Sequence, residues 1–257
     1  MKGLIFLYVT LGLMLSTCSV SNNDENEWQS IFNGENLGGW TIKMTGYPAG
    51  ENFSNTFRVE DGLLKVSYDN YEKFDGEFGH IFYRESLSSY KLSLKYRFTG
   101  EQVSGGPSWG YRNSGIMLHS QSPESMLLDQ DFPVSIEAQF LGGDGESERS
   151  TLNVCTPGTN IIMDGELIRR HCTNSNSETY HNDVWVSTEI VVYADSIIHH
   201  IVEGDTVITY HSPQIDGDDL PEGFPLPDGT LLGSGFISLQ AESHPVEFKD
   251  IKLLKLR

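Results

Sequence analysis

Short runs of alternating apolar and polar residues, separated by glycine, asparagine and aspartate, occupy most of the chain. The clearest is Tyr90-Lys-Leu-Ser-Leu-Lys-Tyr-Arg-Phe98, in which Leu92, Leu94, Tyr96 and Phe98 share one face and Lys91, Ser93, Lys95 and Arg97 the other. A period of two is that of a strand with one buried face. The same reading predicts strands within residues 28–40, 79–84, 113–119, 136–140, 185–193, 196–202, 206–210, 235–243 and 246–256. Asp61-Gly62 within residues 57–66 and Asp164-Gly165 within 160–168 are hairpin signals, because both residue types tolerate the left-handed backbone of a tight turn. Residues 144–153 and 216–229, rich in charge, glycine and proline, read as surface loops. No stretch beyond the N-terminus carries a 3.6-residue period. Many short strands with frequent turns predict one all-β domain over residues 28–257, an antiparallel two-sheet jelly-roll sandwich. A chain of 257 residues can bury a full core.

Two neighbouring strands carry an unusual polar face. In Asn113-Ser-Gly-Ile-Met-Leu-His119, Ile116 and Leu118 oppose Asn113, Met117 and His119. In Ser135-Ile-Glu-Ala-Gln-Phe140, Ile136, Ala138 and Phe140 oppose Glu137 and Gln139. Spacing leaves two readings. The polar faces meet water, as in any half-buried antiparallel sheet, or they line a concave surface that binds a ligand.

The formal net charge of −19 argues against nucleic acid, whose phosphates require clustered cations, and against anionic lipid; a neutral ligand fits better. Lys2, an apolar run over residues 4–15 and Leu15-Ser-Thr-Cys18 make an export signal over residues 1–17, too short to span a membrane comfortably. Leu-Ser-Thr-Cys resembles a bacterial lipobox, with Cys18 the lipidated residue. Residues 18–27 then form a hydrophilic tether, and contact with the membrane is through that lipid alone. The expected location is the cell envelope, at the outer membrane on its periplasmic or surface face. Export favours a disulfide between Cys155 and Cys172; two free buried thiols are the alternative.

Several segments, in order, resemble the 3-keto-disaccharide hydrolase family: Ile31-Phe-Asn-Gly-Glu-Asn-Leu-Gly-Gly-Trp40, Phe57-Arg-Val-Glu-Asp-Gly62, Asn113-Ser-Gly-Ile116, Ser135-Ile-Glu-Ala-Gln139, Gly235-Phe-Ile-Ser-Leu-Gln240 and Val246-Glu-Phe-Lys-Asp-Ile251. The insert around Cys155 and Cys172 looks like one subgroup of it. The resemblance implies a concanavalin A-like jelly roll whose concave sheet binds sugar. It also implies action on glycosides carrying a ketone at C3, installed beforehand by a separate sugar 3-oxidoreductase. A C3 ketone acidifies the C2 proton, so a positioned base generates an enediolate that expels the group at C1. Donors aimed at the C3 oxygen stabilise the charge.

On this resemblance Glu137 is the candidate general base and His119 a candidate acid or base; a solvated strand carboxylate and a surface histidine are the bland alternatives. Arg112, Asn113, Gln139, Gln240, Glu242 and His244 are candidate ligands for hydroxyls or the keto oxygen, with Glu242 the second-choice carboxylate. Trp109 is a candidate stacking platform, against core packing. Lys95 and Arg97 are candidate sources of positive charge, although such residues are usually just solvated. No zinc-type spacing of cysteine and histidine is present, and no cofactor is required by the sequence; a divalent ion gathered by Glu137, His119 or Glu242 stays open. A retaining glycosidase needs two carboxylates about 5–5.5 Å apart, and Glu137-Ala-Gln-Phe-Leu-Gly142 supplies no second acid. A non-catalytic, lectin-like sugar-binding protein on the same fold is the alternative function.

Overall fold

The computed structural model describes residues 27–256. The export signal, Cys18 and the tether through residue 26 lie outside the described residues. Among the described residues no helix is long and apolar enough to cross a membrane, and helix is confined to three single 3-10 turns.

The strands, in chain order, begin with β1 Gln29–Ser30, β2 Trp40–Met44, β3 Phe57–Glu60, β4 Leu63–Val66, β5 Gly79–Tyr83 and β6 Ser89–Phe98. They continue through β7 Asn113–Ser120, β8 Ile136–Leu141, β9 Asn153–Cys155, β10 Thr159–Met163, β11 Glu166–Ile168 and β12 Cys172–Thr173. The last are β13 Val186–Tyr193, β14 Ile197–Val202, β15 Asp205–Ile215, β16 Phe236–Ala241 and β17 Val246–Lys255. They form two antiparallel sheets. One runs β11-β10-β15-β14-β13-β6-β17-β4-β3 with β1 beside β17; the other runs β12-β9-β8-β7-β16-β5-β2. The Asp61-Gly62 and Asp164-Gly165 turns close the β3–β4 and β10–β11 hairpins, with left-handed backbone at both residues of each.

Alternation explains the packing. Leu92, Leu94, Tyr96 and Phe98 of β6 face inward and meet Ile116, Leu118, Ile136, Ala138 and Phe140 of the second sheet in one core. Tyr96 and Phe140 stack across it at 4.0 Å. Burying a side chain such as Leu94 contributes roughly 1.5–3 kcal/mol. The opposite face of β6 is outside: Lys95 pairs with Asp250 at 3.8 Å, and Arg97 with Glu247 at 2.6 Å while lying 4.6 Å over the Trp185 ring. These two cations therefore sit on the outer face of the sheet, with the core between them and the second sheet.

One residue breaks the expected alternation. Period two groups His119 with Asn113 and Met117, but β7 carries a bulge before Ser120, and His119 has a left-handed backbone (φ 48°). The bulge fits because Gly235 has no side chain; a Cβ there would overlap the His119 backbone. The ring consequently packs against buried Tyr90, with Nε2 3.0 Å from the Ala194 carbonyl.

Candidate active site

The second sheet turns its other face to a cavity of about 440 Å³. Register builds that face residue by residue. Glu137 on β8 lies opposite Met117 on β7 and Cys155 on β9, and Gln139 opposite Gly115 and Asn153. On β16, Gln240 lies opposite His80 of β5, which in turn lies opposite Lys43 of β2. Directly opposed residues share a face. The polar groups there do not meet bulk water: Glu137 is 6% exposed, Glu242 4% and Gln240 fully buried.

Glu137 has room because its neighbour on β7 is Gly115, where a Cβ would lie 2.5 Å from Oε1 of the carboxyl. Glu242 follows the end of β16 and accepts a hydrogen bond at Oε1 from Nε2 of Gln240 (2.9 Å). Asn113 donates from Nδ2 to the Trp109 carbonyl at 3.2 Å. Oε1 of Glu137, Oε2 of Glu242, Oδ1 of Asn113 and Oε1 of Gln240 are buried with no hydrogen-bond partner among the described residues. Leaving an acceptor so costs roughly 1–3 kcal/mol, and such groups in a cavity are where a hydroxyl-bearing ligand would bond.

Burial also controls protonation. It pushes the Glu137 carboxyl up to about 8. Glu242 is raised well above the usual carboxylate range by burial and then by the charge of Glu137 beside it. Two carboxyls close together in a dry site do not ionise together. His80, fully buried with neither ring nitrogen bonded, is pushed down to about 3 by burial and by the charge of Lys43, so it is neutral. His244 is lowered to about 4 by burial and the Arg112 charge; its ring packs on Phe98 and Tyr111.

The wall of the cavity is apolar. Trp109 and Phe132 line it, and Trp109 stacks on Phe78 at 5.5 Å. Leu141, Pro157 and Cys172 complete it, with Cys172 bonded to Cys155 across the β9–β12 pair. Arg149 also reaches the cavity, its guanidinium anchored on the carbonyls of Gly142 and Tyr111.

Of the residues singled out from the sequence, Trp109, Asn113, Glu137, Gln139 and Glu242 line this one cavity, and Gln240 holds Glu242. Arg112 does not line it; its left-handed backbone directs the guanidinium to Asp183 (2.8 Å) and the Asn182 carbonyl. His244 stands behind Tyr111. His119, turned into the core by its bulge, and Lys95 and Arg97, on the far sheet, are not brought to it. For the divalent ion left open by the sequence, no group of three His, Cys, Asp or Glu side chains stands together among the described residues. Arg149, Phe132 and His171 were missed.

Comparison with curated proteins finds no match. Two solved structures from Parabacteroides distasonis, each designated a candidate glycosyl hydrolase, align over 90% of this chain at 17% identity. Their TM-scores are 0.52 and 0.51, with 100% and 94% of those chains covered. A Bacillus licheniformis beta-glucanase aligns over 90% of this chain and 98% of its own at 12% identity, with a TM-score of 0.50. At such identities the likeness is one of fold, a jelly-roll sandwich. The sequence itself is more specific: residues 27–254 match the model of the 3-keto-alpha-glucoside-1,2-lyase-like domain, and the chain belongs to that family.

Proposed function

We propose that this carbohydrate-active domain cleaves the glycosidic bond of 3-keto-glucosides, including 3-keto-disaccharides, with Glu137 as the base that removes the C2 proton. The observation that carries the reading is the buried pair Glu137 and Glu242, unequal in its environment and lining one cavity. A base must be ionised near the working pH while an acid beside it stays protonated. Glu137, raised to about 8, suits the first role, and Glu242, raised further by its neighbour, suits the second.

The C2 proton passes to the Glu137 carboxylate, and the C2–H electron pair forms a C2–C3 double bond with negative charge on the C3 oxygen. Protonated Glu242 donates a hydrogen bond to that oxygen. The charge then returns to restore the C3 carbonyl, a C1–C2 double bond forms, and the C1–O bond breaks with its electrons on the leaving oxygen, which takes up a proton. Addition of water at C1 completes a net hydrolysis. Asn113 and Gln139 bind ring hydroxyls in this arrangement. Incubation with a 3-keto-disaccharide and with its unoxidised parent tests the reading: turnover of the oxidised sugar alone supports it.

The carboxyl pair also favours a second reading, direct acid–base hydrolysis of an ordinary glycoside. Glu242, the residue after β16, supplies the second acid that the Glu137 strand lacks. Turnover of the unoxidised sugar distinguishes this from the keto-sugar reaction, and tight binding without turnover of either would leave a lectin-like protein.

The ketone must come from an upstream sugar 3-oxidoreductase. We also propose that the domain works at the cell envelope, held by a lipid on Cys18, on the support of the apolar run 4–15 and Leu15-Ser-Thr-Cys18. Protein carrying Cys18→Ser should leave the detergent phase and lack acyl chains; an acylated variant would contradict the anchor.

A further inference from the structure

The cavity has two chemically different zones, and the function proposed above uses only one of them. Its floor carries the buried, unpartnered oxygens of Glu137, Glu242 and Asn113. Its wall is Trp109, Phe132, Leu141, Pro157 and the disulfide sulfur of Cys172. Trp109 is braced there, stacked on Phe78 at 5.5 Å and 17° with Phe132 tilted against both rings, yet 49% of its surface is exposed. An aromatic face held by two other rings and left open on one side is a preformed stacking surface.

We infer that this wall is the subsite for the group leaving from C1, and that it selects a planar aryl aglycone over a second sugar. The inference rests on the proposed function for its chemistry and deepens it by naming the substrate class. A second pyranose would bring several hydroxyls into the wall, each needing a partner once water is displaced. Few are free. Two N–H groups of the Arg149 guanidinium are donated to the Gly142 and Tyr111 carbonyls, and Oε1 of Gln139 accepts from Asn153, leaving the remaining Arg149 N–H groups, the Gln139 amide nitrogen and the His171 ring. An aryl ring needs no such partners and stacks on Trp109.

Leaving-group chemistry points the same way. The oxygen at C1 departs with the electron pair of the broken bond. The carboxyls lining the cavity are Glu137 and Glu242, both employed at C2 and C3, so the wall offers no further carboxylic acid to protonate the departing oxygen. A phenolate, whose conjugate acid has a pKa of about 10 as in tyrosine, departs without that help far more readily than an alkoxide.

The test compares phenyl 3-keto-glucosides of both anomers with a 3-keto-disaccharide, using wild-type protein, Trp109→Ala and Trp109→Phe. The expected result is a kcat/KM at least about tenfold higher for an aryl substrate. Trp109→Ala should lose most of that advantage and Trp109→Phe should keep it, read as the ratio of kcat/KM for the aryl substrate to that for the disaccharide. A disaccharide preferred by wild type, or equal losses on both substrates, overturns the inference. Calorimetry with Glu137→Gln and the unoxidised phenyl glucoside and disaccharide reads the subsite without turnover. Aryl preference abolished by adding Trp109→Ala supports the subsite even where neither keto-sugar is cleaved, an outcome that overturns the proposed reaction instead. Equal binding of the two ligands overturns the subsite.

Discussion

The Glu137 side chain reaches diagonally across the β7–β8 pair to Gly115, and its carboxyl fills the space a side chain at 115 would occupy; a Cβ there would lie 2.5 Å from Oε1. The absence of a side chain on β7 thus sets where the carboxyl points. Gly115→Ala should fold, because one methyl displaces a side chain that borders a cavity, and should lower kcat about 100-fold by displacing the base on the order of 1 Å. Melting curves and steady-state rates check both halves. Unchanged kcat would separate Glu137 from the chemistry.

The raised Glu137 carboxyl has a consequence for stability. Its pKa is about 8 in the fold because of burial and about 4.3 in an unfolded chain. Between those values the folded state holds the extra proton, so this group's contribution to stability is fully present below about pH 4 and declines as pH rises towards 8. Glu137→Gln removes the ionisable group. The variant should be more stable than wild type at pH 8, by about 1–3 kcal/mol in denaturant unfolding, with little difference at pH 4.

The same shift fixes the acid limb of the rate profile. A general base acts when ionised, so kcat/KM should climb with pH and level off only near 8. Ionisation of Glu242, whose pKa is raised further by burial and by Glu137, should then lower it at higher pH. Glu242→Gln should remove the alkaline decline while leaving the acid limb. A profile flat from pH 5 to 9 would contradict the assignment.

Cys155 stands opposite Glu137 in register, and its disulfide to Cys172 ties the two-residue strand β12 to the sheet. Closing a loop of this size contributes about 3 kcal/mol. Reductant, or the double variant Cys155→Ser with Cys172→Ser, should lower the melting temperature by roughly 6–12 °C. KM should rise more than kcat falls, because Cys172 lines the wall and not the floor.

The fold was readable where one face of a strand is buried and the other wet. Tyr90 to Phe98 alternates without a fault because β6 has core on one side and solvent on the other. The disulfide, too, followed from composition and export context. Strands β2, β9 and β12 were not read, since their neighbours bury both faces or they extend only two or three residues. In the site, the carboxyl, amide and indole residues stood out as polar or aromatic positions in β7, β8, the end of β16 and the turn before β7. His119 did not follow the pattern, because a bulge shifts every later side chain by one and nothing in Met117-Leu-His119 announces it. Lys95 and Arg97 have the right chemistry, but alternation cannot say which sheet faces the cavity. Phe132 and Arg149 reach the site from loops, where no period exists to read.

The decisive step is transfer of a proton from C2 of a keto-sugar to Glu137, and hydrogen exchange at that carbon measures it most directly. A 3-keto-glucoside incubated in deuterated water should gain deuterium at C2, or release its leaving group with a primary isotope effect when C2 is already deuterated. Glu137→Gln should suppress both by at least about 100-fold while binding the sugar. Cleavage with no C2 exchange and no isotope effect, or exchange undiminished in Glu137→Gln, would contradict it.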